Sequence, residues 1–151
     1  MANDRSKGQT GSEAPTPYPG LKPLDRLVGT WKISGEAEGE TTYEWMEGGF
    51  FLIARGQLKQ GGSEYKHMEI IGFDRGPDAT DPASDLTSRV YTTRGETLDY
   101  THEVDDKTVT SWFGPKGSPA VFRAQWGDDG NTLTGAWEWP GGGYKLTLSR
   151  V

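Results

Sequence analysis

The chain has 151 residues, enough for one domain with a single core. Because only 32% of them are hydrophobic, the six Trp, six Tyr and five Phe must supply much of the buried surface. Its net charge of −6 comes from interspersed residues of both signs, without the Lys/Arg cluster that nucleic acid or an anionic membrane surface requires. The absence of cysteine excludes disulfide bonds, a thiolate nucleophile and Cys-based metal sites.

Residues 1–20 are polar and rich in Gly, Pro and Ser, so we predict a flexible N-terminal arm before a folded domain at residues 21–151. In an alternative, Tyr18 and its neighbours Pro17 and Pro19 dock across an opening or onto a partner. The sequence lacks the apolar stretch of about 7–15 residues of a signal peptide and the roughly 18 apolar residues of a membrane span. Together with the absence of cysteine, this favours a soluble, cytoplasmic protein.

A short helical turn is predicted at Pro23–Val28, because Leu24, Leu27 and Val28 recur at helical spacing after a proline. These three side chains are expected to cap one end of the fold. From Gly29 onward, turn residues separate short, alternating segments rich in β-branched and aromatic residues. The predicted strands are Thr30–Glu36, Thr41–Met46, Phe50–Leu58, Glu64–Phe73, Thr87–Thr93, Thr97–Glu103, Thr108–Phe113, Ala120–Trp126, Thr132–Trp139 and Tyr144–Arg150.

The predicted turns between these strands are mostly tight and contain Gly or Asp, which is typical of hairpins in an antiparallel meander. Such strands form a sandwich or a closed barrel, and closure is favoured because it leaves no unpaired strand edge. We therefore predict an all-β fold, a single closed antiparallel up-and-down β-barrel of about ten strands with a short N-terminal helical turn. The long connection Asp74–Asp85 is predicted as a solvated flap over one mouth, since its aspartates lack the spacing of an EF-hand calcium loop.

Four motifs occur in order along the chain: LVGTW at 27–31, EGGFFL at 47–52, IGFD at 71–74 and DDGNTLTGAWE at 128–138. With them the sequence resembles the lipocalin-like (calycin-like) bacterial proteins of the DUF1579 type over about Leu24 to Val151. The resemblance implies an antiparallel barrel with an interior cavity and no agreed biochemical activity.

The Gly-Thr-Trp segment at 29–31 is also similar to the opening of nitrobindins, ten-stranded barrels that bind haem through a histidine late in the chain. This sequence departs from that pattern, because its histidines are His67 and His102 and none follows Glu103. Haem binding by that route is therefore not expected, and no cofactor is predicted.

Alternation along the strands sorts residues onto two faces, and the inward face is expected to line a pocket for a small ligand. In the alternative, these side chains fill a narrow barrel solid. The apolar candidates for ligand contact are Trp31, Tyr43, Trp45, Phe51, Ile53, Trp112, Phe122, Trp126 and Trp137. The polar candidates for orienting a ligand are Tyr65, His67, Glu69, Tyr91, Tyr100, His102, Arg123 and Gln125.

His67 and Glu69 lie two residues apart on one predicted strand and therefore face the same way, as a histidine–carboxylate pair for acid–base chemistry requires. In the favoured alternative, Met68 and Ile70 face inward and the pair lies on the surface. A zinc site built from His67, His102 and a carboxylate is less favoured, and no metal is predicted.

The sequence lacks the motifs of α/β-hydrolases, zinc metalloproteases, P-loop proteins and dinucleotide-binding proteins. The first hypothesis is a barrel that binds a small, mostly apolar or aromatic molecule in its cavity. The alternatives are an isomerase or cyclase in which His67, Glu69 or Tyr100 moves a proton, and a haem- or metal-binding barrel using His67 or His102. Nucleic acid and membranes are not expected partners, and a homodimer is left open.

Overall fold

The computed structural model describes residues 15–151, which contain ten β-strands and a 3-10 helix. Residues 1–14, the larger part of the predicted arm, lie outside the described residues. Within the described part, no helix is long and apolar enough to cross a membrane. The strands are β1 (Gly29–Gly35), β2 (Ala37–Trp45), β3 (Phe51–Gln60), β4 (Ser63–Phe73), β5 (Leu86–Thr92), β6 (Thr97–Val104), β7 (Thr108–Phe113), β8 (Val121–Trp126), β9 (Thr132–Trp139) and β10 (Gly142–Arg150).

Each strand pairs antiparallel with the next one along the chain, and β1 also pairs with β10, so the sheet closes into a barrel. The closing register places Trp31 opposite Arg150 and Ile33 opposite Leu148. The predicted closed up-and-down barrel is thereby confirmed.

The largest difference from the predicted strand bounds is at the start of β2. β2 starts at Ala37 rather than Thr41, because Gly39 continues the ladder instead of ending it and pairs with both Ile33 and Leu58. A glycine inside a strand permits the close approach of a neighbouring backbone. In the sequence, Gly39 resembles the glycines that mark turns between strands.

One end of the barrel is closed by the 3-10 helix Pro19–Leu27, which begins before the predicted turn and buries Leu21, Leu24 and Leu27. A 3-10 helix has three residues per turn, so side chains three apart lie on the same side. Val28 falls outside this series and is 36% exposed, so the prediction that it joins the cap is wrong.

Trp31 of β1 and Arg150 of β10 hold the end of this helix. The indole Nε1 of the fully buried Trp31 donates to the carbonyl oxygen of Leu27 at 2.8 Å. The Arg150 guanidinium lies 4.2 Å from the centre of the Trp31 ring and donates to the carbonyl oxygens of Arg26 and Val28, both at 2.7 Å. Carbonyl groups that the helix end leaves without a helical partner are thereby satisfied.

Two other segments lie at this closed end. Tyr18 packs edge-on against Phe50 and Phe73, with ring centroids 5.2 and 6.1 Å away. The connection at residues 74–85 is almost entirely exposed, and none of its residues lines the interior cavity described below. The predicted flap over a mouth is therefore wrong, because this connection joins β4 to β5 at the end that the helix already covers.

We expect Leu24→Ala to lower the free energy of unfolding by about 2–5 kcal/mol, because Leu24 is 1% exposed and its truncation leaves a hole beneath the helix. Val28→Ala, on the exposed side of the same segment, is the control and should cost less than about 1 kcal/mol. Urea unfolding followed by tryptophan emission measures both changes. Equal effects of the two substitutions would contradict a closing role for the helix.

Candidate functional site

The barrel encloses a cavity of about 520 Å³, which is not filled by side chains. This volume lies in the range of about 300–1,000 Å³ that is usual for small-molecule sites. Leu24 and Leu27 of the helix close it at one end. Much of its wall is apolar and comes from every strand, including Ile33, Leu58, Ile71, Val90, Leu98, Val104, Val109, Ala120, Phe122, Leu133, Leu146 and Leu148.

The opposite end of the cavity is rimmed by aromatic rings. Because β1 begins beside the helix and every pair is antiparallel, the odd-numbered strands end at the far side. Phe113 and Trp139 end β7 and β9 there, line the cavity and are 46% and 42% exposed. The ring of Tyr144, near the start of β10, lies 6.0 Å from that of Trp139. This end of the cavity therefore presents aromatic surface.

Four polar side chains on four neighbouring strands, β4 to β7, face this cavity or its wall as a connected group. Ser88 Oγ lies 2.6 Å from Oε2 of Glu69 and 2.7 Å from Nε2 of His102. The other ring nitrogen of His102, Nδ1, lies 2.7 Å from Oγ of Ser111. Glu69 Oε2 and His102 Nε2 are 3.6 Å apart, and their side chains are 15% and 10% exposed. We call these four residues the polar chain.

The direction of these hydrogen bonds follows from the carboxylate. An ionised Glu69 can only accept, so the hydroxyl of Ser88 donates its single proton to Oε2 and accepts from Nε2–H of His102. In a neutral imidazole, Nδ1 is then the acceptor, and it takes the hydroxyl proton of Ser111. The polar chain thus fixes the tautomer of His102.

Glu69 remains ionised at this depth. Burial alone raises the pKa of a carboxyl group, but contacts with His102 and Ser88, together with the nearby His67, outweigh it and hold the pKa of Glu69 below its ordinary value. Its other oxygen, Oε1, receives no hydrogen bond from residues 15–151. Within the part of the chain that the structure describes, no Lys or Arg lines the cavity.

His67, on the same face of β4 as Glu69, is the second histidine of the cavity wall. Its Nδ1 is buried and has no hydrogen-bond partner among the described residues. Burial lowers the pKa of His67, and the carboxylate of Glu69 offsets only part of this effect, so the ring is neutral near pH 7. The histidine in contact with Glu69 is His102 from β6 and not the neighbour on its own strand.

Four tyrosines also line the cavity, namely Tyr43, Tyr65, Tyr100 and Tyr144. Burial raises the pKa of each, to about 12 for Tyr144, and the charge of Glu69 adds to the increase for Tyr43 and Tyr100. Their hydroxyl groups therefore stay protonated at neutral pH and present hydrogen-bond donors to a ligand.

The structure separates the predicted ligand contacts into three groups. The first lines the cavity and consists of Tyr43, Tyr65, His67, Tyr100, His102, Phe122 and Trp137, together with Glu69. The second packs at the closed end, where Trp45 Nε1 donates to Asp25 Oδ1 at 2.9 Å and the ring of Trp126 lies 5.9 Å from that of Trp31, tilted by 52°. The third faces outward and consists of Phe51, Ile53, Tyr91, Trp112, Arg123 and Gln125, none of which lines the cavity.

Packing within and around the strands explains why the third group faces outward. In β3 it is Leu52 and Ala54 that are buried inward, so Phe51 points away and lies against Gly72. Trp112 is covered on the outside by Lys116, whose ammonium lies 5.9 Å from the ring centre. In β4 the inward face is the one that carries His67 and Glu69, while Met68 and Ile70 are 38% and 37% exposed. The favoured surface placement of the histidine–carboxylate face is therefore wrong.

Ser88 and Ser111 are the members of the polar chain that the sequence did not single out. Each lies between two apolar residues of the same inward face, Leu86 and Val90 in β5 and Val109 and Phe113 in β7. A hydroxyl group at a buried position needs a partner, because burying it without one is costly. A serine at an inward position between apolar residues is therefore the sequence signal that could have identified Ser88 and Ser111.

No three His, Asp or Glu residues within 15–151 lie close enough together to hold a metal ion. Comparison with protein-family models and with curated protein sequences finds no match to this chain. The resemblance to lipocalin-like proteins of the DUF1579 type therefore stays a prediction, and the chemistry of the cavity must be inferred from its own residues.

Acid should destabilise the protein through His67 at a higher pH than through Glu69. Because the pKa of folded His67 lies below the ordinary value of about 6.5, the unfolded chain binds that proton first, and stability is lost as the pH falls through about 6.5. The lowered pKa of Glu69 stabilises the fold above about pH 4.5, and this contribution is lost only below it. We expect His67→Gln to lose less unfolding free energy than the wild type between about pH 7 and pH 5.5.

Urea titrations at several pH values measure this difference. Glu64→Gln, an exposed change on the same strand, is the control and should keep the wild-type profile. Identical profiles for all three proteins would contradict the placement of a neutral His67 inside the barrel.

Proposed function

We propose that the protein binds a small molecule with a largely apolar or aromatic body inside the barrel. The observation that carries the proposal is the cavity of about 520 Å³, lined mostly by apolar and aromatic side chains and closed at one end. Burying about 200 Å² of apolar ligand surface would contribute roughly 5 kcal/mol at about 25 cal/mol per Å². The tyrosine hydroxyls and the polar chain then orient the ligand through a few directed contacts.

Occupation of the cavity can be tested with N-phenyl-1-naphthylamine, a neutral aromatic probe whose emission rises in apolar surroundings. We expect saturable binding with one site per chain. Leu98→Trp, which places an indole in the cavity from β6, should weaken binding at least about tenfold, because it removes much of the space the probe needs.

The matched control is Thr97→Trp, the adjacent exposed position on the other face of β6. It adds the same side chain outside the barrel and should leave the affinity within about twofold. Absence of saturable binding, or an equal loss in both variants, would contradict binding inside the barrel. Circular dichroism of both variants confirms that each is folded.

A second candidate is acid–base catalysis on a bound ligand, and the unpartnered Nδ1 of His67 favours it. Among the three residues predicted for such chemistry, Tyr100 holds its proton too tightly to act as a base, because burial raises its pKa. Glu69, whose pKa is lowered, is too weak a base for most carbon acids. A neutral His67 is the group suited to removing a proton near pH 7.

This second candidate predicts proton exchange in a carbon acid that fits the cavity. Incubation of the protein with 2-tetralone in D₂O, followed by proton NMR, should show exchange of the α-protons at least about tenfold above the buffer rate. His67→Gln should abolish the enhancement, and Glu64→Gln on the outer face should preserve it. Exchange at the buffer rate, or equal rates in both variants, would leave binding as the only proposed function.

A further inference from the structure

Among residues 15–151, one acidic residue and no Lys or Arg line the cavity. That residue is Glu69, so its carboxylate has no Lys or Arg beside it in the lining that the structure describes. The ring of His67 is neutral near pH 7, because burial lowers its pKa. Both ring nitrogens of His102 are held by the hydroxyl groups of Ser88 and Ser111, so His102 has no ring nitrogen left to bind a ligand. A ligand therefore meets the Glu69 carboxylate without a neighbouring Lys or Arg among the described lining residues.

Part of the carboxylate is also available. Ser88 and His102 both approach Oε2 of Glu69, whereas Oε1 receives no hydrogen bond from the described residues. A carboxylate oxygen has two lone pairs and accepts most strongly from a charged donor. The protein therefore holds Oε2 of Glu69, and Oε1 is available to accept a hydrogen bond from a ligand.

Aromatic rings line the same cavity as this carboxylate. Tyr43 and Tyr100 are close enough for its charge to raise the pKa of both. The ring of Tyr100 lies 5.7 Å from that of Trp137, which in turn lies 5.6 Å from Phe122. Ring faces attract cations, most strongly where water is excluded. An anionic ligand would find no Lys or Arg among the described lining residues and no favourable ring face.

We propose that the ligand of this cavity is an organic cation, a protonated amine with an apolar or aromatic body, whose ammonium group binds Oε1 of Glu69 between aromatic rings. This inference rests on the proposed binding function and names the class of ligand. The body of the ligand extends from Glu69 toward the aromatic rim formed by Phe113 and Trp139. The overall net charge of −6 adds a long-range attraction for cations.

The test uses three compounds with the same ring system and different head groups: 1-naphthylmethylamine, 1-naphthalenemethanol and 1-naphthoic acid. They are cationic, neutral and anionic at about pH 7.5. Isothermal titration calorimetry with the unaltered protein should rank the amine about tenfold tighter than the alcohol, and the acid at least about tenfold weaker than the alcohol, because only the amine gains a charge-assisted bond.

Substitution of the carboxylate then tests its role. Glu69→Gln keeps the shape of the side chain and should weaken the amine about tenfold, while the alcohol stays within about twofold. Glu64→Gln removes a carboxylate from the outer face of the same strand and should change neither affinity. The ranking of the three compounds uses the wild-type protein and does not depend on the folding of either variant.

The outcomes separate this inference from the proposed function. If the alcohol or the acid binds as tightly as the amine, or if Glu69→Gln folds and keeps the amine affinity, the ligand class is wrong and binding in the cavity stands. If N-phenyl-1-naphthylamine binds and none of the three compounds does, the ligand class is again wrong. If that neutral probe also fails to bind, the proposed function falls together with the inference.

Discussion

The contact between Arg150 and Trp31 is the interaction on which the shape of this molecule depends. Arg150 belongs to the last strand and Trp31 to the first, and both bind backbone carbonyls at the end of the helix that precedes the first strand. The guanidinium thus joins three elements at the seam where the barrel closes. Because the helix is fixed across this end, Leu24 and Leu27 close the interior there. At the opposite end, strands finish in the half-exposed aromatic residues Phe113 and Trp139.

The sequence was sufficient to predict the barrel, because alternation and regularly spaced turns define strands and their faces. Alternation does not show how far along the barrel axis an inward side chain lies. Trp45 and Trp126 are inward by alternation, but Trp45 hydrogen-bonds to Asp25 of the helix and Trp126 packs against Trp31 at the same end. These positions depend on the path of the helix. Alternation was also ambiguous where neighbours are both apolar, as at Phe51 and Leu52, and only the pairing of β3 with β2 and β4 resolves which one is buried.

The polar chain lay beyond prediction for a different reason. Glu69 and His102 were both named as candidate residues, although the favoured prediction placed Glu69 on the surface. Which histidine contacts the carboxylate depends on the register of two successive strand pairs, β4 with β5 and β5 with β6. A shift of one residue in any pair would turn one of these side chains outward. Ser88 and Ser111 become meaningful only in that register, because a serine in a strand usually faces solvent.

The half-exposed rings of Phe113 and Trp139 give the thermodynamics of the open end a particular form. While the barrel is empty, these rings are hydrated. A bound molecule that covers them transfers apolar surface out of water, and such burial has a negative heat-capacity change. The enthalpy of uptake therefore becomes more favourable on warming while its entropy becomes less so, and the affinity itself changes little across ordinary temperatures.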